Sequence, residues 1–336
     1  MTLRKDIDLR PTSLDDFVGQ RDVVDNLKVF IKAAKERGEP LEHVLLVGPP
    51  GLGKTTLAFL IAKEMGAQLK TASGPSLEKP ADLAGILTSL PPGGVLFIDE
   101  IHRLPRAVEE YLYTAMEDFY IDVIIDKGAG ARTVRLPLPR FTLVGATTRM
   151  GLLTKPLRSR FGIVLRLDYY SVEELAEILR RSAEILGLKA EDEALVEIAR
   201  RSRGTPRIAN NLLKRVRDFA QAEGKDILDA ETARRALRKL GVDALGLTSD
   251  DLRYLKVLHE KFRGGPVGLK TLAAALSEDE GTLQEVIEPY LLRMGLIERT
   301  PRGRVLTMRG AEHVIKISQS SKLSPDERTK GPSPDL

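Results

Sequence analysis

The segment Gly48-Pro49-Pro50-Gly51-Leu52-Gly53-Lys54-Thr55 constrains this chain more than any other. It follows an apolar run at 43–47 and precedes a stretch, 54–65, in which Leu57, Leu60, Ile61 and Met65 recur at helical spacing. The pattern G-x-x-x-x-G-K-[ST] between a strand and a helix has one well-defined use, the cradling of phosphates. Glycines such as Gly51 and Gly53 let backbone N–H groups converge on phosphate oxygens, and the helix N-terminus adds partial positive charge. Lys54 can reach the β and γ oxygens, and Thr55 can offer its hydroxyl to Mg²⁺.

A second run, Val95-Leu96-Phe97-Ile98-Asp99-Glu100, puts two acids at the carboxyl end of an apolar strand, where open α/β sheets bind ligands. Asp99 is suited to holding hydrated Mg²⁺, and Glu100 to polarising an attacking water. Alone, such a pair could equally cap a helix or lie in a solvated loop; next to a phosphate loop, the catalytic reading prevails. Gly145-Ala146-Thr147-Thr148 ends another strand and offers hydroxyls to a γ-phosphate, or merely to a turn. On spacing alone, Arg160 and Arg207 could be ordinary surface or ion-pairing arginines.

The first half alternates strand-like runs (43–47, 67–71, 95–98 and 141–146) with helical patterns at 54–65 and 105–119, which predicts a parallel sheet flanked by helices. Alternation at Ile121, Val123 and Ile125 and again over 133–136, around Gly128-Ala129-Gly130, predicts a β-hairpin at 119–138. From Ser171 the pattern is helical only, opening on the capping box Ser171-Val172-Glu173-Glu174 and continuing over 192–200, 205–222 and 229–240. After a linker at 241–248, helical stretches at 249–262, 269–276 and 282–294 precede a hairpin at 296–307 that turns on Thr300-Pro301-Arg302-Gly303. Three helices closed by a basic hairpin form a winged helix. The tail at 320–336 has a disordered composition.

Composition narrows the chemistry. Without cysteine there are no disulfides, no thiolate catalysis and no cysteine-ligated zinc, and the four scattered histidines lack ligand spacing. No apolar run is long enough to span a membrane, and the N-terminus lacks a secretory pattern, so a cytoplasmic protein is expected. A net charge of +4 and a pI near 9.1 are compatible with a nucleic-acid partner without requiring one. The absence of Trp and the wealth of Glu, Lys and Arg resemble a thermophile's composition.

Taken together, Asp16-Phe17-Val18-Gly19-Gln20, the phosphate loop, the Asp99-Glu100 strand, 145–148, Ser159-Arg160-Phe161 and 204–207 resemble the ordered motifs of AAA+ ATPases. Segments 48–58, 96–104, 141–149, 201–210, 264–268 and 299–304 narrow the likeness to the RuvB family, from about Leu9 to Gly310. That resemblance implies an α/β P-loop AAA+ core with a parallel sheet (1–170, including the 119–138 hairpin), a small all-α domain (171–241), a winged-helix DNA-binding domain (244–319) and a tail. It implies a homohexamer using ATP and Mg²⁺ to move duplex DNA at Holliday junctions in recombination and repair, within the SOS response. RuvA would dock on the hairpin, and the RuvC resolvase is a further candidate partner. By the same likeness Arg160 is an arginine finger acting in trans, Arg207 a sensor-2 arginine, and Thr148 or Thr147 sensor 1. Thr56 completes the phosphate loop, Leu9, Arg10 and Tyr170 surround the adenine, and Glu117, Asp118 and Phe119 lie near nucleotide. The chain departs from the family at 125–129, within the hairpin turn, and at Asn211, where a basic residue is common.

In the terminal hairpin Arg299, Arg302, Arg304 and Arg309 occur with no acid among them, a local cluster suited to phosphates. No row of base-reading residues accompanies it, so contact with little sequence preference is expected. Two rival readings remain at this stage: a protein-remodelling or clamp-loading AAA+ switch, and an initiator-like DNA-binding module that uses ATP only for assembly.

Overall fold

The computed structural model describes residues 8–125 and 132–322. The chain forms two compact units, divided between Thr232 and Ala233. The first begins with α1 (Arg21–Arg37) and continues β1 (Val44–Val47), α2 (Lys54–Glu64), β2 (Leu69–Ser73), α3 (Pro80–Thr88), β3 (Val95–Asp99) and α4 (Arg106–Glu117). A hairpin of β4 (Tyr120–Ile125) and β5 (Arg132–Pro137) follows, then β6 (Thr142–Thr147), α5 (Lys155–Ser159) and β7 (Ile163–Arg166). Next come α6 (Val172–Ile185), α7 (Asp192–Arg200), α8 (Pro206–Ala222) and α9 (Ala230–Lys239), the last crossing into the second unit.

The five-stranded sheet is parallel throughout, in the order β2-β3-β6-β1-β7. Every residue of β1 and β6 is buried, as expected of central strands covered on both faces. Leu96, Ile98 and Leu143 pack beneath Leu83 and Leu87 of α3 and Val108 and Leu112 of α4. Order and register bring the carboxyl ends of β1, β3 and β6 side by side, with Val47 opposite Thr147 and Ile98 opposite Gly145. This edge carries the candidate site.

Four elements of the first unit are absent from the sequence expectation. Helices α1, α3 and α5 lie where the pattern assigns no helix, and β7 has only four residues with alternating burial, the signature of an edge strand too short to stand out. Strand β2 begins two residues later than expected, because none of its residues is fully buried and its pattern neither alternates nor runs apolar. In α6 the capping box forms: Ser171 Oγ accepts from Glu174 N at 3.1 Å, and Glu174 Oε2 accepts from Ser171 N at 2.8 Å. The hairpin pairs Ile121 with Leu136 and Val123 with Val134; its turn, where 126–129 departs from the family pattern, lies outside the described residues.

The second unit contains α10 (Ser249–Glu260), α11 (Leu269–Leu276) and α12 (Glu280–Thr282), which passes through a π-helical turn (Leu283–Ile287) into α13 (Glu288–Arg293). Strands β8 (Ile297–Thr300) and β9 (Gly303–Leu306) form the wing, and α14 (Met308–Lys322) closes the unit. Its core gathers Tyr254, Leu258, Leu272, Leu276, Leu291 and Val314. Val267 adds a bridge to β9, donating to Arg304 O at 3.0 Å and accepting from Arg304 N at 2.8 Å. Helix α14 runs into the stretch read as tail, and 323–336 lie outside the described residues. Among the described residues no helix is long and apolar enough to cross a membrane.

Candidate functional site

Strand β1 delivers the chain into the phosphate loop at Gly48, whose N–H donates to Thr147 O at 3.1 Å. The loop requires glycine at three points, and at Gly48 a Cβ would stand only 2.6 Å from Leu167 O. Gly51 (φ +81°) and Gly53 (φ +104°) occupy the left-handed region, and a Cβ would stand 3.2 Å from Arg207 Cβ at the first and 3.0 Å from Phe17 Cζ at the second. Helix α2 starts at Lys54 with no side-chain cap and no acid in its first turn, so its N-terminal N–H groups and dipole remain available to an anion.

Lys54 is 7% exposed, and its ammonium donates to the carbonyls of Gly48 and Pro49, each at 2.7 Å. Burial lowers its pKa; Asp99 and Glu100 oppose that shift, and Arg207 adds to it. Carbonyls take two of its three hydrogens without cancelling its charge, which suits a phosphate-binding lysine. Around it lies a cavity of about 450 Å³. Leu9, Arg10, Gly51, Gly53, Lys54, Thr55, Thr56, Asp99, Glu100, Tyr170 and Arg207, all proposed from sequence, line it. Burial raises the pKa of Tyr170, whose hydroxyl donates to Leu52 O at 3.0 Å and so fixes the ring against the loop.

Asp99 Oδ1 accepts from Glu100 N at 2.9 Å, and Glu100 itself adopts φ 49°, ψ 44°. That left-handed conformation costs a non-glycine residue on the order of 1 kcal/mol or more and tends to persist at functional sites. The hydroxyl of Thr55 and the carboxylate of Asp99 are oxygen donors of the kind magnesium takes, with substrate oxygens completing its sphere. The residues present therefore fit a magnesium nucleotide.

Several cavity residues escaped the sequence reading, Lys214 and Arg181 among them. Arg181 of α6 donates to Asp16 O at 2.5 Å and Leu9 O at 3.0 Å, tying the helical segment to the chain that carries Leu9 and Arg10. No motif marks it; only its place on the inward side of α6 could have.

A second group lies apart from the cavity lining. Arg160 follows α5, donating through Nη1 to Pro156 O at 2.8 Å and through Nη2 to Glu117 Oε2 at 2.6 Å. Its guanidinium sits 4.7 Å from the centre of the Tyr113 ring. Glu117 ends α4, Asp118 caps it and Phe119 follows, and Phe119 packs edge-on against Phe141 at 5.9 Å. None of these four residues lines the cavity, nor does Thr148, whereas Thr147 is wholly buried at the end of β6.

Three family models match consecutive stretches of the chain: the P-loop domain of the Holliday junction DNA helicase RuvB over 9–167, the RuvB AAA lid domain over 170–243 and the RuvB C-terminal winged helix domain over 244–315. The chain belongs to the RuvB family. It is similar to the Holliday junction branch migration complex subunit RuvB of Salinibacter ruber, 59% identical over 313 residues that make up 93% of this chain and 91% of that protein. A solved structure of Thermotoga maritima RuvB, described as a Holliday junction branch migration motor, superposes with a TM-score of 0.82 at 51% identity, covering 91% of this chain and 98% of that one. A mutant of the same Thermotoga protein gives 0.83 at 52% identity over the same shares.

In this chain the wing differs from the picture of an acid-free arginine cluster. Glu288, fully buried at the start of α13, accepts from Arg299 Nε at 2.8 Å, Arg304 Nε at 2.9 Å and Tyr254 Oη at 3.0 Å. Burial, then the neighbouring Glu288 charge, raises the Tyr254 pKa, while the hydrogen bond to Glu288 raises that of Arg304. The Arg304 side chain is 13% exposed and that of Arg299 44%. Arg302 at the turn and Arg309 on α14 are exposed. The wing's freest positive charge therefore sits at Arg302 and Arg309, with Arg299 half committed.

Proposed function

We propose that this chain is the motor of a branch-migration complex, an ATP hydrolase that moves duplex DNA at Holliday junctions during recombination and repair. Membership of the RuvB family, with a phosphate-loop cavity and a basic wing in one chain, is the observation that carries this reading. The domain limits proposed are 1–170 with the hairpin 119–138, 171–241, 244–319 and the tail 320–336.

In this reading Lys54, Gly51, Gly53, Thr55 and Thr56 bind the substrate's phosphates, and Leu9, Arg10 and Tyr170 enclose its adenine. Glu100 accepts a hydrogen bond from the attacking water and orients it toward the γ-phosphorus. Thr55 and Asp99 would hold Mg²⁺, which when bound neutralises phosphate charge. Arg207 reports nucleotide state to the helical segment, and Thr148 senses the γ-phosphate. Arg160, with Glu117, Asp118 and Phe119, serves the cavity of a neighbouring copy; their position outside their own cavity supports this. A homohexamer satisfies that arrangement. RuvA docking on the hairpin, a contact with RuvC, an SOS-response setting and a cytoplasmic address complete the proposal. Arg299, Arg302 and Arg304 belong to the DNA surface, with Arg302 making the phosphate contact and the other two shaping the wing.

A four-way-junction assay tests this. With ATP and RuvA the junction should separate into two duplexes. ATP turnover without junction separation would favour a clamp-loading or remodelling switch, and retention only on one specific sequence an initiator.

A further inference from the structure

Glu100 carries a carboxylate on two methylenes, and its backbone is fixed from several sides. Its N–H is held by Asp99 Oδ1, its carbonyl accepts from Arg103 N at 2.8 Å, and that same carbonyl would lie 2.4 Å from a Cβ placed on Gly74. The side chain is about one-third exposed, so something beyond the backbone must orient it. His102, only 6% exposed, brings Nε2 to 3.4 Å from Glu100 Oε2 and Nδ1 to 3.0 Å from Thr147 Oγ1.

Donor accounting fixes the direction of this chain. A carboxylate only accepts, so the nitrogen facing it carries the hydrogen. Burial lowers the His102 pKa and favours a neutral ring, leaving Nδ1 as an acceptor for the Thr147 hydroxyl. Thr147 Oγ1 in turn accepts from Arg149 N at 3.0 Å. The donors thus run Arg149 N–H to Thr147, Thr147 O–H to His102, and His102 Nε2–H toward Glu100. Thr147 also accepts, through its backbone carbonyl, from Gly48 N of the phosphate loop. One buried threonine therefore touches the phosphate loop with its main chain and His102 with its side chain.

We propose that His102, held by Thr147, is a positioning residue for Glu100, setting the water-orienting carboxylate in register with the phosphate loop. This rests on the role given to Glu100 above. The 3.4 Å contact is longer than an ordinary N–H···O bond, so it restrains the carboxylate and still lets it move when substrate arrives.

The test measures ATP hydrolysis and nucleotide affinity of the full chain with duplex DNA present. His102→Ala should lower kcat on the order of 10- to 100-fold, with KM for ATP changed by less than about threefold, because orientation is lost and phosphate binding is not. His102→Gln, whose terminal N–H can still reach a carboxylate, should recover part of that loss. Thr147→Val, nearly equal in volume, should also lower kcat, and adding His102→Ala to it should cost less than the product of the two single losses. Glu100→Gln is the control: if it hydrolyses ATP normally, the role of Glu100 itself fails. If Glu100→Gln is inactive while His102→Ala and Thr147→Val stay within about twofold of the parent kcat, the positioning link is overturned. A matched rise in KM, or strictly multiplicative losses in the double variant, also overturns it.

Discussion

Glu288 offers the sharpest quantitative test of the winged-helix unit. Its carboxylate has no exposed surface and is the shared acceptor for Arg299, Arg304 and Tyr254. Replacing it with alanine strands Arg304, whose side chain is only 13% exposed, without the charge that offsets its burial. Removing one member of a buried ion pair costs about 3–5 kcal/mol. Arg299 adds little, since a 44% exposed arginine regains water, and contributes at most about 1 kcal/mol. The lost Tyr254 bond to a charged group falls within the same total, because the network is not additive. Hydrogen exchange of the intact chain is the suitable assay, because it reads local opening without requiring a two-state transition of the whole protein. Amides of α10 and β9 should exchange about 10² to 10⁴ times faster in Glu288→Ala, at roughly 1.4 kcal/mol per tenfold. Protection within threefold of the parent would refute the reasoning, because it would mean that Arg304 finds water or another acceptor at no cost.

Other consequences can be checked separately. Lys54→Ala should abolish ATP turnover, and normal turnover would remove the phosphate-loop reading. Arg160→Ala should bind ATP but fail to hydrolyse it, and mixing it with Glu100→Gln should restore part of the activity only if the arginine serves a neighbouring copy. In salt titrations of duplex binding, Arg302→Ala should reduce the slope by about one unit, while Arg304→Ala should instead destabilise the winged-helix unit. His43 gives a pH signature. Its Nδ1 accepts from Leu143 N at 2.9 Å, its Nε2 lies 3.0 Å from Met116 O, and burial lowers its pKa, so the folded ring is neutral. Because the unfolded ring binds a proton first as pH falls below about 6.5, the stabilisation is complete above that value and is lost on acidification. A His43→Gln variant should show a weaker loss of first-unit protection between pH 7 and 5.

The sequence revealed what is encoded locally. The phosphate loop, the Asp99-Glu100 strand and the Ser171 capping box are patterns of adjacent residues whose chemistry dictates their spacing, and cavity lining residues were legible from them and from the family likeness. What escaped was set by distant partners. The wing looked free of acids because its counter-charge, Glu288, comes from α13, 16 residues before Arg304. Arg181 reaches Leu9 across 172 residues, a contact that no local window contains. Strand β7 is visible only once β1 is there to pair with it.

The placement of Arg160 away from its own cavity carries a consequence of counting. If each chain lends its arginine to the next, an open row of copies always holds one cavity without a finger at one end and one idle finger at the other. Activity per chain then rises with row length and becomes complete only on closure, when head-to-tail contacts leave no ends. Tyr113 and Glu117, which hold the guanidinium in the single chain, keep the idle finger folded against α4 of its own chain. Dilution should therefore lower specific activity in steps set by the number of ends, rather than in proportion to protein bound.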